Sequence, residues 1–291
     1  VSRYGLIAYG SSLDQVGVFA RTVHDTAAVF SVIAGADEHD STSINLGYVD
    51  YTKNLSDTLP AGLRIGVVEN MLYAPGMDPE IVAAHEVAIT QLEKQGATIT
   101  KIKLPIIDYS AAVYFIVSRA EAASNLARFD GVRYGYRNTE GISLADMYAK
   151  TKRYGFGKEV RRRIMVGNYV LSAGHADAFY QKATMVRQLI RDALHHAYKD
   201  VHLLIMPTHP MPAFTFGAFE VDQLQMDLQD YFTCPANLAG IPALSIPIGF
   251  TKNSLPIGMQ FLAPHCKEDL LFQVSHVYEK NNEWHTRHPQ V

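Results

Sequence analysis

Cysteine is scarce in this chain: only Cys234 and Cys266 are present, 32 positions apart and forming no CxxC pair. That spacing argues against a disulfide framework and against a zinc site, and makes a reducing compartment the natural setting. Long apolar runs are also missing, since none approaches the roughly 18 residues of a membrane span. The amino terminus lacks the charged, then apolar, then small-residue succession of a secretory signal. A soluble, cytoplasmic protein with no membrane partner is expected. Positive charge is not in excess: 26 Lys and Arg against 29 Asp and Glu give a formal charge of -3. No global field therefore draws nucleic acid, and any RNA contact must be local or made by a partner. The marks of a self-contained active site are absent too, with no GxSxG elbow, no HExxH, no Walker loop and no GxGxxG after a strand.

What is present is ordinary globular composition, 291 residues of which 48% are hydrophobic and 19% charged. That is enough to bury one large core, so a single domain over 1–291 is expected. The chain opens at Val1 on "VSRYGLIAYGSSLDQVG" rather than at a methionine. That beginning reads as a fragment.

Thr22 with Asp25 forms a capping-box-like start, and the apolar residues from Ala27 to Ile33 continue it as a helix ending at Gly35, expected to be largely buried. Residues 37–60 carry little periodicity and read as an extended loop. The runs "LRIGVVEN", "PEIVAAHEVAITQLEKQG" and "ATITKIKLP" then form a strand, helix, strand unit. Helical patterns cover 108–128, 144–152, 158–170 and 176–198. Three short apolar runs bounded by prolines follow, "VHLLIMPTHP", "ALSIPIGF" and "PIGMQFLAP", as buried strands would be, and a helix from Lys267 to Lys280 closes the chain. The fold class expected is α/β, a mixed sheet covered by helices on both faces.

Few residues carry chemistry by spacing alone. His195, His196, His202 and His209 are a histidine-rich stretch, but adjacent helical positions point about 100° apart, so no metal site is expected. Ser11, Ser12 and Asp14 put hydroxyls beside a carboxylate without a placed base, and a turn with capped amides explains them. The segment 150–163 holds seven basic residues against Glu159 alone; it is either a phosphate-contacting patch or a solvated helix face. Successive Arg161, Arg162 and Arg163 spread through about 200° of helix, so one of them turns toward the core side and requires an anion, from a carboxylate of the chain or of a substrate. Asp227 and Asp230, three apart, have the spacing of a shared helix face, with capping the ordinary role. Tyr114 reads as a core aromatic.

Several runs change these odds. "VSRYGLIAYGSSLDQVG", "TVHDTAAVFSVIAGADEHDSTS", "NLAGIPALSIPIGF" and "PIGMQFLAP" resemble the amidase-signature family, and "SNLARFDGVRYGYR" with "KEVRRRIMVGNYVLSAG" resembles its branch of glutamine-hydrolysing subunits of tRNA-dependent amidotransferases. The resemblance spans essentially the whole chain. It implies a Ser-cis-Ser-Lys triad that attacks the glutamine side-chain amide and releases ammonia. In that family the nucleophile lies a short way upstream of the stretch matching Val1, so no catalytic residue is expected in this chain, and the fragment is expected to be inactive alone.

By the same resemblance Arg163 grips the α-carboxylate of glutamine, Asp230 holds its α-ammonium, and Tyr114 lines the site. The implied partners are two further subunits, and Glu-tRNA(Gln), converted to Gln-tRNA(Gln), is reached through the complex. ATP and Mg are used by the complex, and no cofactor is bound by this chain. RNA binding in such complexes falls mainly to another subunit, so the basic segment takes its solvated reading. The competing readings are a fragment of a free-standing amidase for another small amide and a non-catalytic scaffold.

Overall fold

The structure is a computed structural model that describes residues 1–219 and 222–288. In chain order its elements are α1 (Val23–Ile33), β1 (Arg64–Val68), α2 (Glu69–Leu72), α3 (Pro79–Lys94), β2 (Thr98–Ile102), α4 (Ser110–Leu126), α5 (Leu144–Gly155), α6 (Lys158–Leu171), α7 (Lys182–Ala197), β3 (Leu203–Pro207), α8 (Gln223–Leu228), α9 (Cys234–Ala239), β4 (Ala243–Phe250), β5 (Pro256–Leu262) and α10 (Glu268–Lys280). A π-helical turn, Asp177–Gln181, leads into α7. The chain divides into two compact units. The first holds 1–4, 16–111 and 188–291, and the second holds 5–15 and 112–187.

The first unit is built on a five-stranded mixed sheet in the order β2-β1-β3-β5-β4. β1 pairs in parallel with β2 and β3, while β5 runs antiparallel to β3 and β4. The strand, helix, strand unit read from sequence is β1, α3, β2. Asp78 caps α3 by accepting from the Glu80 amide at 2.7 Å, and Pro79 follows at the first turn, where its missing N–H is harmless. One face of the sheet, with Ile65, Leu203, Ile205, Met259 and Phe261, shares a core with Ile81, Ala88 and Leu92 of α3, Ala27 of α1, and Leu271, Val274 and Tyr278 of α10. On β5, buried Gln260 donates from Nε2 to the carbonyls of Pro207 (2.8 Å) and Phe232 (2.7 Å). That pair of bonds ties the segment entering α9 to the sheet. β2 is an exposed edge strand, and its Lys101, paired with Glu69, supplies the charge that discourages edge pairing.

α1 is less buried than its sequence implies. Thr22 caps it as read, its hydroxyl accepting from the Asp25 amide at 3.0 Å. Only Val23, Thr26, Ala27 and Ser31 are buried, however, whereas Val29 and Val32 are 48% and 80% exposed. The helix is apolar on every side but presents a single face to the core. The short helices α2, α8 and α9 are not legible as helices in the sequence.

In the second unit α4 and α6 approach closely at Gly167. A Cβ added there would lie 2.0 Å from the carbonyl oxygen of Arg119 and 2.6 Å from the Ala123 methyl carbon. Glycine is required because the two backbones come this near. The loop 129–142 runs along α5: the Asn138 amide donates to the Thr151 hydroxyl at 3.0 Å and Lys150 Nζ to the Glu140 carbonyl at 3.0 Å. No helix among the described residues is long and apolar enough to cross a membrane.

Candidate functional site

All three successive arginines are half-buried, and Arg163 reaches beyond its own helix. Its side chain is 26% exposed, and Nε donates to Glu159 Oε1 at 2.7 Å while Nη1 donates to the Tyr9 hydroxyl at 2.8 Å. The Tyr9 ring lies under the guanidinium, 5.6 Å from its centroid to Cζ. Glu159, one helical turn back on α6, also receives Nε and Nη2 of Arg162 at 2.8 and 2.9 Å. One carboxylate thus serves two guanidinium groups. The hydrogen bonds from Arg162, then those from Arg163, hold the Glu159 carboxyl down to about 2, against some opposing burial. Burial opposes the charge on Arg163, but its bonds to Glu159 and Tyr9 outweigh that and push its pKa up.

The anion demanded by an inward arginine is therefore Glu159, with Tyr9 beside it, yet the guanidinium is not saturated. Nη2 of Arg163 meets no protein acceptor among the described residues. A guanidinium with Nε and one Nη1 hydrogen engaged still presents Nη2 and the other Nη1 hydrogen, side by side, in the fork that suits a carboxylate.

Tyr9 is placed by the Gly10–Asp14 turn. Asp14 accepts from the Tyr9 and Gly10 amides at 2.8 and 3.0 Å, and Asn125 of α4 donates from Nδ2 to the Tyr9 carbonyl at 3.0 Å. Ser12 is engaged by Glu121 through both its amide (2.9 Å) and its hydroxyl (2.5 Å), and Arg187 also donates to the hydroxyl. Asp14 caps the turn amides as read, whereas the serine hydroxyls bond side chains outside the turn. Tyr114, half-buried on α4, belongs to the same unit as Arg163.

Asp230 belongs to the first unit and is exposed, in the turn between α8 and α9. The shared helix face with Asp227 is not realised, because α8 ends at Leu228. The Asp230 carbonyl instead accepts from the Thr233 and Cys234 amides, both at 3.1 Å, and so opens the turn into α9. Flanking anchors fix this turn. Tyr231 donates its hydroxyl to Asp108 at 3.3 Å, and burial, with the Asp108 charge, pushes that phenol up to about 12. Phe232 is held through Gln260. Burial, then the Asp230 charge, pushes the Cys234 thiol up to about 12, so it is an unreactive thiol.

Tyr9 and Glu159 are site residues that sequence reasoning misses. The i, i+4 spacing of Glu159 and Arg163 is the available signal for one; nothing in sequence pairs Tyr9 with a residue 154 positions away. Among the described residues no group of three His, Cys, Asp or Glu side chains is placed to hold a metal ion.

Residues 1–272 match the model of the amidase family. The glutamyl-tRNA(Gln) amidotransferase A-subunit of Cyanothece sp. is 47% identical over all of this chain and 60% of its own length. Its namesake from Syntrophus aciditrophicus is 48% identical over 99% of this chain and 59% of its own. Among solved structures, the glutamyl-tRNA(Gln) amidotransferase A-subunit from Thermotoga maritima superposes with a TM-score of 0.78 at 36% identity, covering 98% of this chain and 56% of that one. The peptide amidase of Stenotrophomonas maltophilia does so with a TM-score of 0.68 at 27% identity, over 97% and 56%. The chain thus spans about 60% of the length of the curated relatives it matches.

Proposed function

Because this chain belongs to the amidase family, we propose that it is the substrate-recognising portion of a glutamine-hydrolysing amidotransferase subunit. In a three-subunit, ATP- and Mg-dependent complex, that subunit supplies ammonia for converting Glu-tRNA(Gln) to Gln-tRNA(Gln). The relatives of 47–48% identity carry that subunit's name, which favours this reading over a free-standing amidase. The observation that carries it is the state of Arg163: oriented by Glu159 and Tyr9, with Nη2 left for an outside acceptor. An amidase for apolar amides has no use for such a fork.

In this reading Arg163 receives the α-carboxylate of glutamine, Asp230 the α-ammonium, and Tyr114 lines the site. Each charge-assisted bond contributes roughly 1.5 to 3 kcal/mol. This reading assigns neither a nucleophile nor its lysine to this chain. Ser11 bonds Asn125, and the Ser12 hydroxyl bonds Glu121 and Arg187. The test is ammonia release from L-glutamine by this chain. The expected result is no turnover with measurable binding; sustained turnover would place a nucleophile within these residues and end the reading.

A further inference from the structure

The two units differ sharply in charge. The second carries thirteen Lys and Arg against seven Asp and Glu, a net of +6, whereas the first carries thirteen against twenty-two, a net of -9; together they give the -3 of the chain. The small net charge of the whole therefore conceals a basic unit. Within it the cations are not spread evenly. The loop along α5 brings Arg133 and Arg137 into the same local structure as Lys152 and Arg153 in the last turn of α5, since Tyr136 packs on Gly155, whose added Cβ would lie 3.1 Å from the tyrosine ring. Lys158 opens the next helix three residues on.

These five side chains are exposed and make no ion pair among the described residues, unlike Lys150, Arg162 and Arg163, which pair with Asp146 and Glu159. Aromatic rings are interleaved with them. Tyr134, Tyr136 and Tyr154 are 47%, 53% and 60% exposed, and the Arg153 guanidinium lies 5.6 Å from the Tyr154 ring centroid.

We infer that this face of the second unit is a docking surface for single-stranded RNA, its five free cations contacting phosphates and its exposed tyrosines stacking on unpaired bases. Unpaired cations give a salt-dependent, sequence-independent attraction to a phosphate backbone. Exposed aromatic faces select unstacked bases over a duplex. Tyrosines also serve protein interfaces, so an acidic protein surface is the alternative occupant that competition by polyglutamate separates. The surface is independent of glutamine recognition at Arg163, and it revises the solvated reading of the basic segment.

The test is fluorescence anisotropy of the full chain with a labelled 20-nucleotide single-stranded RNA across a salt series. It compares a variant carrying Lys152→Gln, Arg153→Gln and Lys158→Gln with a control carrying Lys94→Gln, Lys199→Gln and Lys252→Gln in the first unit. Each phosphate contact adds about 0.7 to the slope of log affinity against log salt for single strands, so the first variant should flatten it by about 2 and weaken binding roughly 100-fold at 0.1 M salt. The control should leave both unchanged. Tyr154→Leu should lower affinity for the single strand and not for a duplex of the same length. Equal losses in the two triple variants would overturn the inference, as would displacement of the RNA by polyglutamate at matched charge, which would assign the surface to an acidic protein.

Discussion

Nη1 of Arg163 donates to the hydroxyl of Tyr9 at 2.8 Å, joining α6 to the start of the chain across 154 positions. With Nε fixed on Glu159, this second bond sets the plane of the guanidinium. Tyr9→Phe keeps the ring and removes the acceptor, so the fork loses its orientation but not its charge. If Arg163 receives the glutamine carboxylate as proposed, losing one such hydrogen bond, about 1 kcal/mol, is predicted to weaken glutamine binding about fivefold. Calorimetric titration checks this, with thermal unfolding expected to shift little.

Glu159 makes the unit sensitive to acid. Its folded pKa of about 2 lies below the ordinary carboxylate value, so its contribution is complete above about 4.5 and is lost as pH falls toward 2. Solvent screens a side chain 41% exposed, which limits that contribution to under about 1 kcal/mol. Glu159→Gln should therefore lower the denaturation midpoint slightly at pH 7 and not at all near pH 2.

His85 gives a second, separate pH dependence in the first unit. It is fully buried on α3, with Nδ1 2.8 Å from the Ile81 carbonyl, and burial lowers its pKa in spite of that bond. The unfolded chain takes up the proton first, so stability is full above about 6.5 and falls as pH drops below it. Urea midpoints measured from pH 7.5 to 5 should fall less steeply for His85→Met than for the unsubstituted protein.

Gly167→Ala tests the contact of α4 with α6. The new methyl meets the Arg119 carbonyl at a distance no real Cβ tolerates, so the helices must separate at a cost of roughly 1 to 3 kcal/mol. A fall of several degrees in the melting temperature is expected. Asn168→Ala, one residue along on the exposed side, should change stability by less than about 0.5 kcal/mol.

Strand and helix periods make the sheet and the long helices legible, because Ile65, Val67, Leu203 and Ile205 occupy runs too apolar and too short for anything but buried strands. The short helices are not legible: α9 spans six residues and is held by the Gln260 bonds to its approach rather than by a repeating apolar face. Arg163 stands out in the sequence by resemblance, but what distinguishes it physically from Arg162 is a hydroxyl at position 9. A contact across that separation leaves no periodic trace. The charge of the second unit is hidden for a different reason, since a composition summed over the whole chain cancels it against the acidic first unit.

Whether Arg163 and Asp230 hold the two ends of glutamine is tested most directly by calorimetric titration of the chain, of Arg163→Ala and of Asp230→Asn. The ligands are L-glutamine, 4-aminobutanamide, which lacks the α-carboxylate, and glutaramic acid, which lacks the α-ammonium. Glutamine is predicted to bind the unsubstituted chain, and each substitution to weaken it tenfold or more. Arg163→Ala should leave 4-aminobutanamide unaffected, and Asp230→Asn should leave glutaramic acid unaffected. Equal affinities for all three ligands, or glutamine binding unchanged in Arg163→Ala, would contradict these roles.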